Sequence, residues 1–513
     1  MIQYILWGFA VRFVQCLLEA APFILAGLFI AAIFQRFFGS AETRRLFGEG
    51  TRAALFRAWV IGMLLPVCSL GVIPVARELK KAGLAGGTII AFAMSAPLFN
   101  PLSLLYGLTL SEPVTILAFA LFSLLIVTLV GTIWDKLFPE KAEIPPEDQS
   151  IPYGIKRIVS VGFSAAKEAS GASLIYILIG LAGVAILGVV LPPNSLQRSV
   201  NYDNPYAPLL MTGVAIPVYA TPMLAMSQLG SMFQHANSVG AAFILLVLGA
   251  GVNLGLVAWI IRNYNWKKTI VWFSLLLLII IGLAYGVDKP FFPSHIEPAD
   301  HTHAFDIYCQ PFSAGTTSFY QSAKQKLGHV IDPYEIYSAG ILGCIVLIGF
   351  VLRYFDRNNR IENWLKKTEP VKSSGKYDIV LPGPVLGVLI LVGLIIASGV
   401  GCFSYYPSPD VVCEEMTIAK TEALSGALSG NVSHSKYWID IYDDWTRKLE
   451  VGVYLRKLNL SEYHHWKAQL LREKLELLAH EIEDEEPEEV RRLVADIQHT
   501  HRRMVDAYLR DLN

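Results

Sequence analysis

The chain reads Pro66-Val67-Cys68-Ser69-Leu70-Gly71-Val72-Ile73-Pro74-Val75-Ala76-Arg77 between two apolar runs. Each proline removes a backbone donor and clashes with the preceding helical turn. A lipid bilayer offers no water to replace the lost hydrogen bond, so broken backbone at membrane depth is tolerated only inside protein or against a cavity. This stretch therefore predicts an interrupted membrane helix and marks the first candidate site.

The composition is that of a membrane protein. Of 513 residues, 53% are hydrophobic and only 17% are charged, and the mean hydropathy is +0.45, whereas soluble domains carry about 25% charged residues. The net charge of −1 gives no reason to expect a nucleic-acid partner. Six cysteines in this length argue against a disulfide scaffold. We predict an all-α polytopic membrane protein.

Apolar runs long enough to cross a bilayer recur along the chain. Full spans are predicted at about 16–38, 83–108, 112–136, 170–192, 238–262, 267–287, 336–354 and 379–404. Two more apolar stretches, 54–80 and 206–232, contain prolines and glycines, and we interpret them as re-entrant or discontinuous helices. The total is about eight to ten apolar spans.

The basic residues predict the orientation, because cytoplasmic loops carry the excess of Lys and Arg. The basic positions fall on one side only if 54–80 and 206–232 do not cross the membrane. They are Arg36, Arg44, Arg45, Arg52, Arg57, Lys80, Lys81, Lys136, Lys141, Lys156, Arg157, Arg262, Lys267, Lys268, Arg353, Arg357, Arg360, Lys366 and Lys367. This predicts a multi-pass protein of the cell (inner) membrane with residues 288–335 and 406–513 outside the cytoplasm.

The two interrupted stretches resemble each other. Asn100 follows Pro66 by 34 positions (100 minus 66), and Asn253 follows Pro217 by 36 (253 minus 217). We predict two repeats of inverted orientation, 1–137 and 170–287, joined by a cytoplasmic linker, 138–169, that contains an amphipathic helix. Inverted repeats with broken helices are a transporter architecture. Gly and Pro are also common in ordinary membrane helices, so a chance similarity is the alternative.

The motif, followed by Ala91-Phe92-Ala93-Met94-Ser95-Ala96-Pro97-Leu98-Phe99-Asn100-Pro101, resembles the ArsP-like predicted permease family over roughly residues 10–287. The resemblance implies an inner-membrane permease related to organoarsenical efflux permeases. The family usually has Cys-Ser-Cys-Gly where this chain has Cys68-Ser69-Leu70-Gly71. Relatives often carry another cysteine where this chain has Tyr219, Ala220 and Thr221. The resemblance therefore implies a permease more strongly than an arsenical substrate.

The breaks supply the predicted substrate pathway. A thiol at a helix start can act as a soft-metal ligand, and helix N-termini favour polar or anionic groups. The alternatives are that Cys68 is a small side chain packed in a tight turn, and that Asn100 and Asn253 only join helices. The predicted pathway residues are Pro66, Cys68, Ser69, Gly71, Pro74, Pro97, Asn100, Pro217, Tyr219, Thr221 and Asn253.

Two carboxylates are candidates for coupling transport to protons. Glu19 lies just inside the first span and Glu168 just before the span at 170–192. A carboxylate at membrane depth is costly and usually functional. The alternative is an interfacial position, where a glutamate costs little.

The predicted outer loop, 288–335, is a candidate metal site. Its potential ligands are His301, His303, Asp306 and Cys309, and imidazole with carboxylate or thiolate suits zinc or copper. The alternative is an ordinary polar loop, because the spacing matches no standard zinc module. Cys309 and Cys413 would share the oxidising side and could pair.

Two further membrane helices are predicted in 336–405, and residues 406–513 form a predicted soluble helical tail. Apolar residues recur at helical spacing in 460–482 and 488–511, with an acidic turn between them. This pattern predicts an antiparallel helical hairpin. The hairpin could pack on itself, join two copies of the chain into a homo-oligomer or contact a partner.

Together these features predict a permease that exports a small solute, metalloid, organoarsenical-like or metal-related, by alternating access. The predicted partners are the lipid bilayer and a small-molecule or ion substrate, without nucleic acid or cofactor, and no Walker motif is visible. The alternative is a membrane-anchored sensor or assembly scaffold. A membrane-embedded thiol enzyme would need a convergent acid/base set near Cys68, which the sequence does not display.

Overall fold

The fold is built from helices. The computed structural model describes residues 2–48, 52–139, 155–192, 195–196, 199–292, 303–312, 318–330, 332–366, 383–484 and 486–510. Over these ranges the only β pairing is an isolated bridge between Asn201 and Asn237. The chain divides into two compact units: Met1–Leu104 with Val114–Ile395, and Leu105–Pro113 with Ile396–Asn513.

Several helices are long and apolar enough to cross a membrane. In the described ranges there are five such helices, or up to seven if each of two bent pairs is one span, fewer than the sequence predicted. The five are Ile2–Phe47, Pro113–Leu137, Ala172–Val190, Trp266–Asp288 and Pro333–Phe355. The bent pairs are Val239–Ala250 with Leu254–Tyr264, at 57°, and Leu391–Tyr405 with Pro409–Leu428, at 43°. The protein is therefore a multi-pass membrane protein.

The first half of the large unit begins with a helix longer than predicted. Its elements are α1 (Ile2–Ile33), a π-helical turn (Phe34–Phe38), α2 (Gly39–Phe47), α3 (Arg52–Leu64), α4 (Val72–Lys81), α5 (Gly86–Ser95), α6 (Pro101–Leu110) and α7 (Pro113–Leu137). The predicted interruption in 54–80 lies between α3 and α4. The prediction of one full span at 83–108 is wrong, because α5 and α6 are separate helices.

The second half follows the same order. After α8 (Ile155–Ala169), in the predicted linker, come α9 (Ala172–Val190), α10 (Ala207–Ala215), α11 (Pro222–Gln234), α12 (Val239–Ile244) with a π-helical turn (Leu245–Ala250), α13 (Leu254–Tyr264) and α14 (Trp266–Asp288). The predicted span at 238–262 is not a straight helix, because the chain bends by 57° between the π turn and α13, as in a broken span or a re-entrant loop. Each half thus has a long helix, two interrupted stretches and a second long helix.

Proline and polar caps account for the interruptions. Pro101 and Pro222 are the first residues of α6 and α11, the helical position where a missing N–H costs least. Pro74 lies in the first turn of α4, which also tolerates proline. The prolines therefore start half-helices as well as ending the preceding ones.

Further elements of the large unit follow residue 288. They are a 3₁₀ helix (His303–Tyr308), α15 (Phe319–Val330), α16 (Pro333–Phe355), α17 (Arg360–Lys366) and α18 (Gly383–Tyr405), the last of which extends into the second unit. The helices predicted at 336–354 and 379–404 correspond to α16 and α18. Asp332 and Glu335 form a capping box that fixes the start of α16.

The second unit has its own apolar core. Its helices are α19 (Pro409–Leu428), α20 (Val432–Lys457), α21 (Glu462–Glu483) and α22 (Pro487–Arg510). The last two match the predicted hairpin, but the core also includes Met416, Tyr442 and other residues of α19 and α20, so the two-helix prediction was too small. Burial lowers the pKa of His501, whose Nδ1 lies 2.7 Å from the Tyr442 hydroxyl, to about 4.

Candidate functional site

The two predicted interrupted stretches each return to the end of the molecule where they began. Arg44, in α2, donates from Nη1 to the carbonyl of Ala82, just after α4, at 2.8 Å. In the second half, the Ser238 N–H donates to the carbonyl of Val200 at 2.9 Å, which joins the chain before α10 to the chain after α11. Both ends of each stretch therefore lie side by side.

These stretches begin at opposite ends of the large unit. Arg12 in α1 and Arg36 in the following π turn are separated by about 36 Å along the helix axis, and we name the two ends after them. The first stretch follows α2, beyond Arg36. The second follows α9, whose Gly188 packs against the Arg12 side chain: a methyl group at Gly188 would lie 2.7 Å from Arg12 Cγ. The stretches enter from the Arg36 end and the Arg12 end, respectively.

The interruptions meet in the middle of the unit, at a place that we call the break centre. The hydroxyl of Tyr219 lies beside the thiol of Cys68, which brings together the breaks before α11 and α4. A methyl group at Gly180 of α9 would lie 2.5 Å from Leu70 Cδ2 and 3.0 Å from Asn253 Oδ1. The break before α13 is thus a neighbour of the break before α4.

The break between α5 and α6 also packs against the break centre. A methyl group at Gly251 would lie 2.7 Å from Leu98 Cδ2, and one at Gly249 would lie 2.9 Å from Val218 Cγ1. Leu98 belongs to the break between α5 and α6, and Val218 to the break before α11. Residues from all four interruptions, two from each half, therefore pack around one point.

Glycine is required where the first break meets α1. A methyl group at Gly71 would lie 2.3 Å from the carbonyl oxygen of Phe23, and one at Gly27 would lie 1.9 Å from that of Gly71. Neither backbone can retreat cheaply, so both positions need glycine for the close approach. The predicted site residue Gly71 thus sets how closely the break approaches α1.

Polar side chains of the predicted pathway cap the half-helices. Asn253 Oδ1 accepts from the Leu256 N–H at 2.9 Å, and Thr221 Oγ1 accepts from the Leu224 N–H at 3.2 Å. Asn100 and Ser103 cap α6 reciprocally, with the Ser103 N–H donating to Asn100 Oδ1 at 2.8 Å. The expectation that both asparagines lie in the middle of uninterrupted spans is wrong, since they lie at breaks and start helices.

Three other polar atoms at the breaks are buried without a hydrogen-bond partner. They are Ser69 Oγ, Tyr219 Oη and Asn253 Nδ2, on residues that are 0%, 1% and 1% exposed. Tyr219 lies beside Cys68 without meeting hydrogen-bond geometry, and the Cys68 sulfur itself accepts from the Gly71 N–H at 3.4 Å. Buried polar groups are nearly always paired, so a cluster of unpaired ones needs an explanation.

The predicted prolines differ in burial. Pro74 and Pro97 are buried, Pro217 is half-buried and Pro66 is exposed. Pro66 therefore shapes the backbone from outside the break centre.

The two predicted coupling residues lie at opposite ends. Glu168, at the Arg36 end, pairs with Arg77 and accepts from Ser173 Oγ at 2.5 Å, and the Lys81 ammonium lies 3.7 Å away. Glu19, toward the Arg12 end, accepts a hydrogen bond from Gln15 Nε2 at 3.2 Å. Glu168 is thus held by cations, whereas Glu19 is held by an amide.

The ion pairs at the Arg36 end border a cavity of about 170 Å³. Its charged lining comprises Arg36, Glu78, Lys81, Lys167, Glu168, Arg353 and Glu362. Lys167 lies 3.0 Å from Glu362, and Arg36 lies 3.8 Å from the same carboxylate. This network joins the π turn after α1, α4, α8 and the later helices α16 and α17.

The predicted outer metal site stays a prediction. His301 lies outside the described residues and the side chain of His303 is not described, while Asp306 is exposed and Cys309 is buried. Within the described ranges no group of three or more His, Cys, Asp or Glu side chains is arranged to hold a metal. Neither Cys309 nor Cys413 is in a disulfide, so the predicted pairing is not formed.

The sequence interpretation missed a pair of matched aspartates. Asp135 accepts from the Gly87 N–H at 2.7 Å, and Asp288 accepts from the Gly240 N–H at 3.0 Å. Each bond spans 48 positions and ties the end of a long helix to the start of an interrupted one. An aspartate at the end of an apolar run was the available signal.

Interrupted helices that meet at a buried polar centre in a multi-pass protein are typical of membrane permeases. A family model, ArsP_1, described as a predicted permease, matches residues 7–287, more than half of the chain. The chain belongs to this predicted permease family, which confirms the resemblance found in the sequence.

Two relatives are similar to this chain. The UPF0718 protein YcgR of Bacillus subtilis (strain 168) is 23% identical over 294 residues, covering 53% of this chain and 93% of that protein. A putative two-component membrane permease complex subunit of Streptococcus mutans serotype c (strain ATCC 700610 / UA159) is 23% identical over 92 residues, covering 18% of this chain and 31% of that protein. No solved structure matches the chain at a significant level.

Proposed function

We propose that the protein is a carrier that binds a small solute at the break centre and exposes it alternately to the two sides of the membrane. The observation that carries this proposal is the meeting of four helix breaks around buried polar atoms that lack partners. An unpaired buried hydroxyl or amide costs about 1–3 kcal/mol. A solute that accepts hydrogen bonds from Ser69, Tyr219 and Asn253 would offset that cost.

The two halves act, in this proposal, as inverted repeats with two re-entrant hairpins. Asn100 and Asn253, Gly87 and Gly240, and Asp135 and Asp288 are each 153 positions apart (253 minus 100, 240 minus 87, 288 minus 135). The members of each pair also make corresponding contacts, as helix caps or as a Gly–Asp bond. One offset for three residue pairs and two kinds of contact favours duplication over chance similarity.

Alternating access follows from this symmetry. Rocking one half against the other would open the break centre first to the Arg36 end and then to the Arg12 end. The ion pairs of Glu168 and Lys167 would have to separate at the Arg36 end. We propose that proton movement drives the cycle, with Glu19 and Glu168 as the coupling residues.

For the substrate we propose a small metalloid, organoarsenical-like or metal-related solute that is exported. Cys68 supplies a thiol at the break centre, while Leu70 and Thr221 supply none. A substrate bound by one thiolate and neighbouring hydroxyls fits this set better than one needing three thiolates. We place the protein in the cell (inner) membrane with 288–335 and 406–513 outside the cytoplasm.

The experiment is a resistance screen across metalloids, metals and drugs in a sensitive host that expresses the full chain. For the compound that the chain exports, Cys68→Ser should abolish resistance, whereas the matched variant Cys413→Ser, in the second unit, should leave it intact. Equal resistance in wild type and Cys68→Ser would remove Cys68 from the substrate site. Export of no compound under conditions of confirmed expression would contradict the carrier proposal.

A sensor or assembly scaffold is the second candidate, favoured by the separate core of the second unit. The name of the Streptococcus mutans relative, a two-component complex subunit, points to partner proteins of that relative, and the homo-oligomer predicted through the tail is of the same kind. Removal of residues 406–513 discriminates, because a carrier should still export its solute and a scaffold should lose its activity. Removal of everything after 287 would not discriminate, because α16 packs within the large unit.

A further inference from the structure

One segment follows the family-matched region in the sequence and is buried against that region in the structure. Residues 303–312 follow the matched range 7–287, and Tyr308, Cys309 and Phe312 are 0%, 2% and 1% exposed. A connection between helices normally runs over the surface, since buried backbone needs hydrogen-bond partners. The hydrogen-bond partners of this segment therefore identify the helices that hold it.

Arg12 of α1 holds the segment by its backbone. The Arg12 guanidinium donates from Nε and Nη2 to the carbonyl of Cys309 at 2.9 and 2.6 Å, and Nη2 also donates to the carbonyl of Asp306. Its remaining nitrogen, Nη1, donates to Gln15 Oε1 at 2.8 Å. Arg12 itself is 8% exposed, so these charge-assisted bonds lie in a dry environment.

Other side chains of the family domain bind the same segment. Gln228 of α11 donates to the carbonyl of Ala304 at 3.0 Å and accepts from the Tyr308 hydroxyl at 3.0 Å. The Gln310 N–H donates to the carbonyl of Leu191, at the end of α9, at 2.9 Å. Residues of α1 and α11 and the end of α9 thus all bind the segment by hydrogen bonds.

The segment lies between the break centre and the Arg12 end. Tyr308 is close enough to Cys16 and Glu19 of α1 to interact with them electrostatically, and so is Tyr219 of the break centre. Cys16 and Glu19 are therefore neighbours of both Tyr308 and Tyr219. The segment binds Arg12, one to two helical turns before these residues on α1, so it lies on the Arg12 side of the break centre.

We propose that residues 303–312 form a plug that closes the route from the break centre to the Arg12 end, and that Arg12 is the residue that positions it. The inference rests on the proposed carrier function, to which it adds the element that must leave for the Arg12 end to open. The bonds that hold the plug are hydrogen bonds, so the plug can be released without breaking a covalent link.

The native cysteines report on the plug without any substrate. Cys309 lies in the plug and Cys68 in the break centre, and both are buried. The full chain, purified in detergent, is treated with a maleimide, and the labelling rate of each cysteine is measured by peptide mass spectrometry. At buried sites that rate follows the population of the open form when reclosing is fast.

Arg12→Gln should raise the labelling rates of Cys309 and Cys68 together, each by about 10-fold to 100-fold, since it removes charge-assisted bonds from the closed state. The matched control is Arg45→Gln, which removes an exposed i,i+3 pair with Glu42 and should change neither rate. Gln228→Met should give a smaller joint increase. Gln228→Met also provides the test if Arg12→Gln fails to yield a folded, monodisperse protein.

Two results would overturn the plug. If Cys309 reacts faster and Cys68 keeps its wild-type rate, the segment covers a surface and not the route. If neither cysteine changes in a folded variant, Arg12 does not hold the segment closed. Because labelling needs no transported solute, failure of the resistance screen leaves this test decisive, and failure of this test leaves the carrier proposal standing.

Discussion

The two halves of the permease domain, 2–137 and 172–288, share their outer contacts and differ at their breaks. At the outer contacts, a glycine N–H at the start of an interrupted stretch binds an aspartate 48 positions later in both halves. At or beside the breaks, both halves have an asparagine cap and a glycine that approaches a backbone carbonyl of the long helix. They differ in the other side chains, because the first half has a thiol and a hydroxyl, Cys68 and Ser69, and the second half has Tyr219 and Thr221.

This difference distinguishes a frame, the residues that fix the helix ends, from the residues that would contact the solute. In the proposed inverted repeat, the frame keeps the residues that fix helix ends, since both halves need the same geometry. The side chains that differ at the breaks have no such common requirement. In the proposed carrier, the frame supports the movement and the break residues select the solute.

The largest expected effect comes from filling the close approach between the first break and α1. Gly27→Val would put its side chain into the carbonyl of Gly71, where even a methyl group would lie 1.9 Å from the oxygen. We expect a loss of at least about 3 kcal/mol in the free energy of unfolding. It is measured by thermal unfolding and by the yield of monodisperse protein.

Gly213→Val is the matched control, because Gly213 is also helical and a methyl group there would meet nothing within 4 Å. A Gly27→Val protein as stable as Gly213→Val would show that α1 and the first break are further apart than described.

The next effect tests the shared frame. Asp288 accepts from both Ser238 Oγ, at 2.6 Å, and the Gly240 N–H, whereas Asp135 accepts from the Gly87 N–H. We expect Asp288→Ala and Asp135→Ala each to cost about 1–3 kcal/mol, measured by thermal unfolding. A large effect of one variant and none of the other would mean that the halves do not share this contact.

A smaller effect is expected where the halves differ in charge. Glu168 corresponds to Gln15, 153 positions earlier (168 minus 15). Glu168→Gln gives α8, just before the second half, the residue that α1 has at the corresponding position. It removes the ion pair with Arg77, in which the Arg77 and Glu168 side chains are 21% and 17% exposed. We expect a loss of about 1 kcal/mol in unfolding free energy, with Glu42→Gln, in an exposed pair, as the near-neutral control. A Glu168→Gln variant indistinguishable from the control would leave the Arg36 end without a meaningful ion pair.

The breaks at 65–71 and 216–221 could be predicted because each contains prolines within an apolar run. The breaks before α6 and α13 were missed, although Pro97, Pro101 and Asn253 mark them. Their flanking helices are apolar on both sides, and a hydropathy window averages over a short interruption. Capping by Asn100 and Asn253 could have been read from the polar residue that precedes each half-helix.

Burial of residues 303–312 could not be predicted from the local sequence. The segment is too short to show a burial pattern of its own, and its burial depends on Arg12, nearly 300 positions earlier. Helices α19 and α20 were missed for a different reason. Their apolar residues do not form a single clean stripe, since each helix packs against more than one neighbour.

The most direct test of the break centre joins its two halves covalently. In a Tyr219→Cys variant, the new thiol lies farther from Cys68 than the tyrosine hydroxyl did, by roughly the length of a phenol ring, so a short bifunctional thiol reagent and not a disulfide should join the two positions. We predict that such a reagent links Cys68 to position 219, detected by peptide mass spectrometry, and that the link abolishes export. A folded variant in which no such link forms, or in which export continues unchanged with the link in place, would contradict the account.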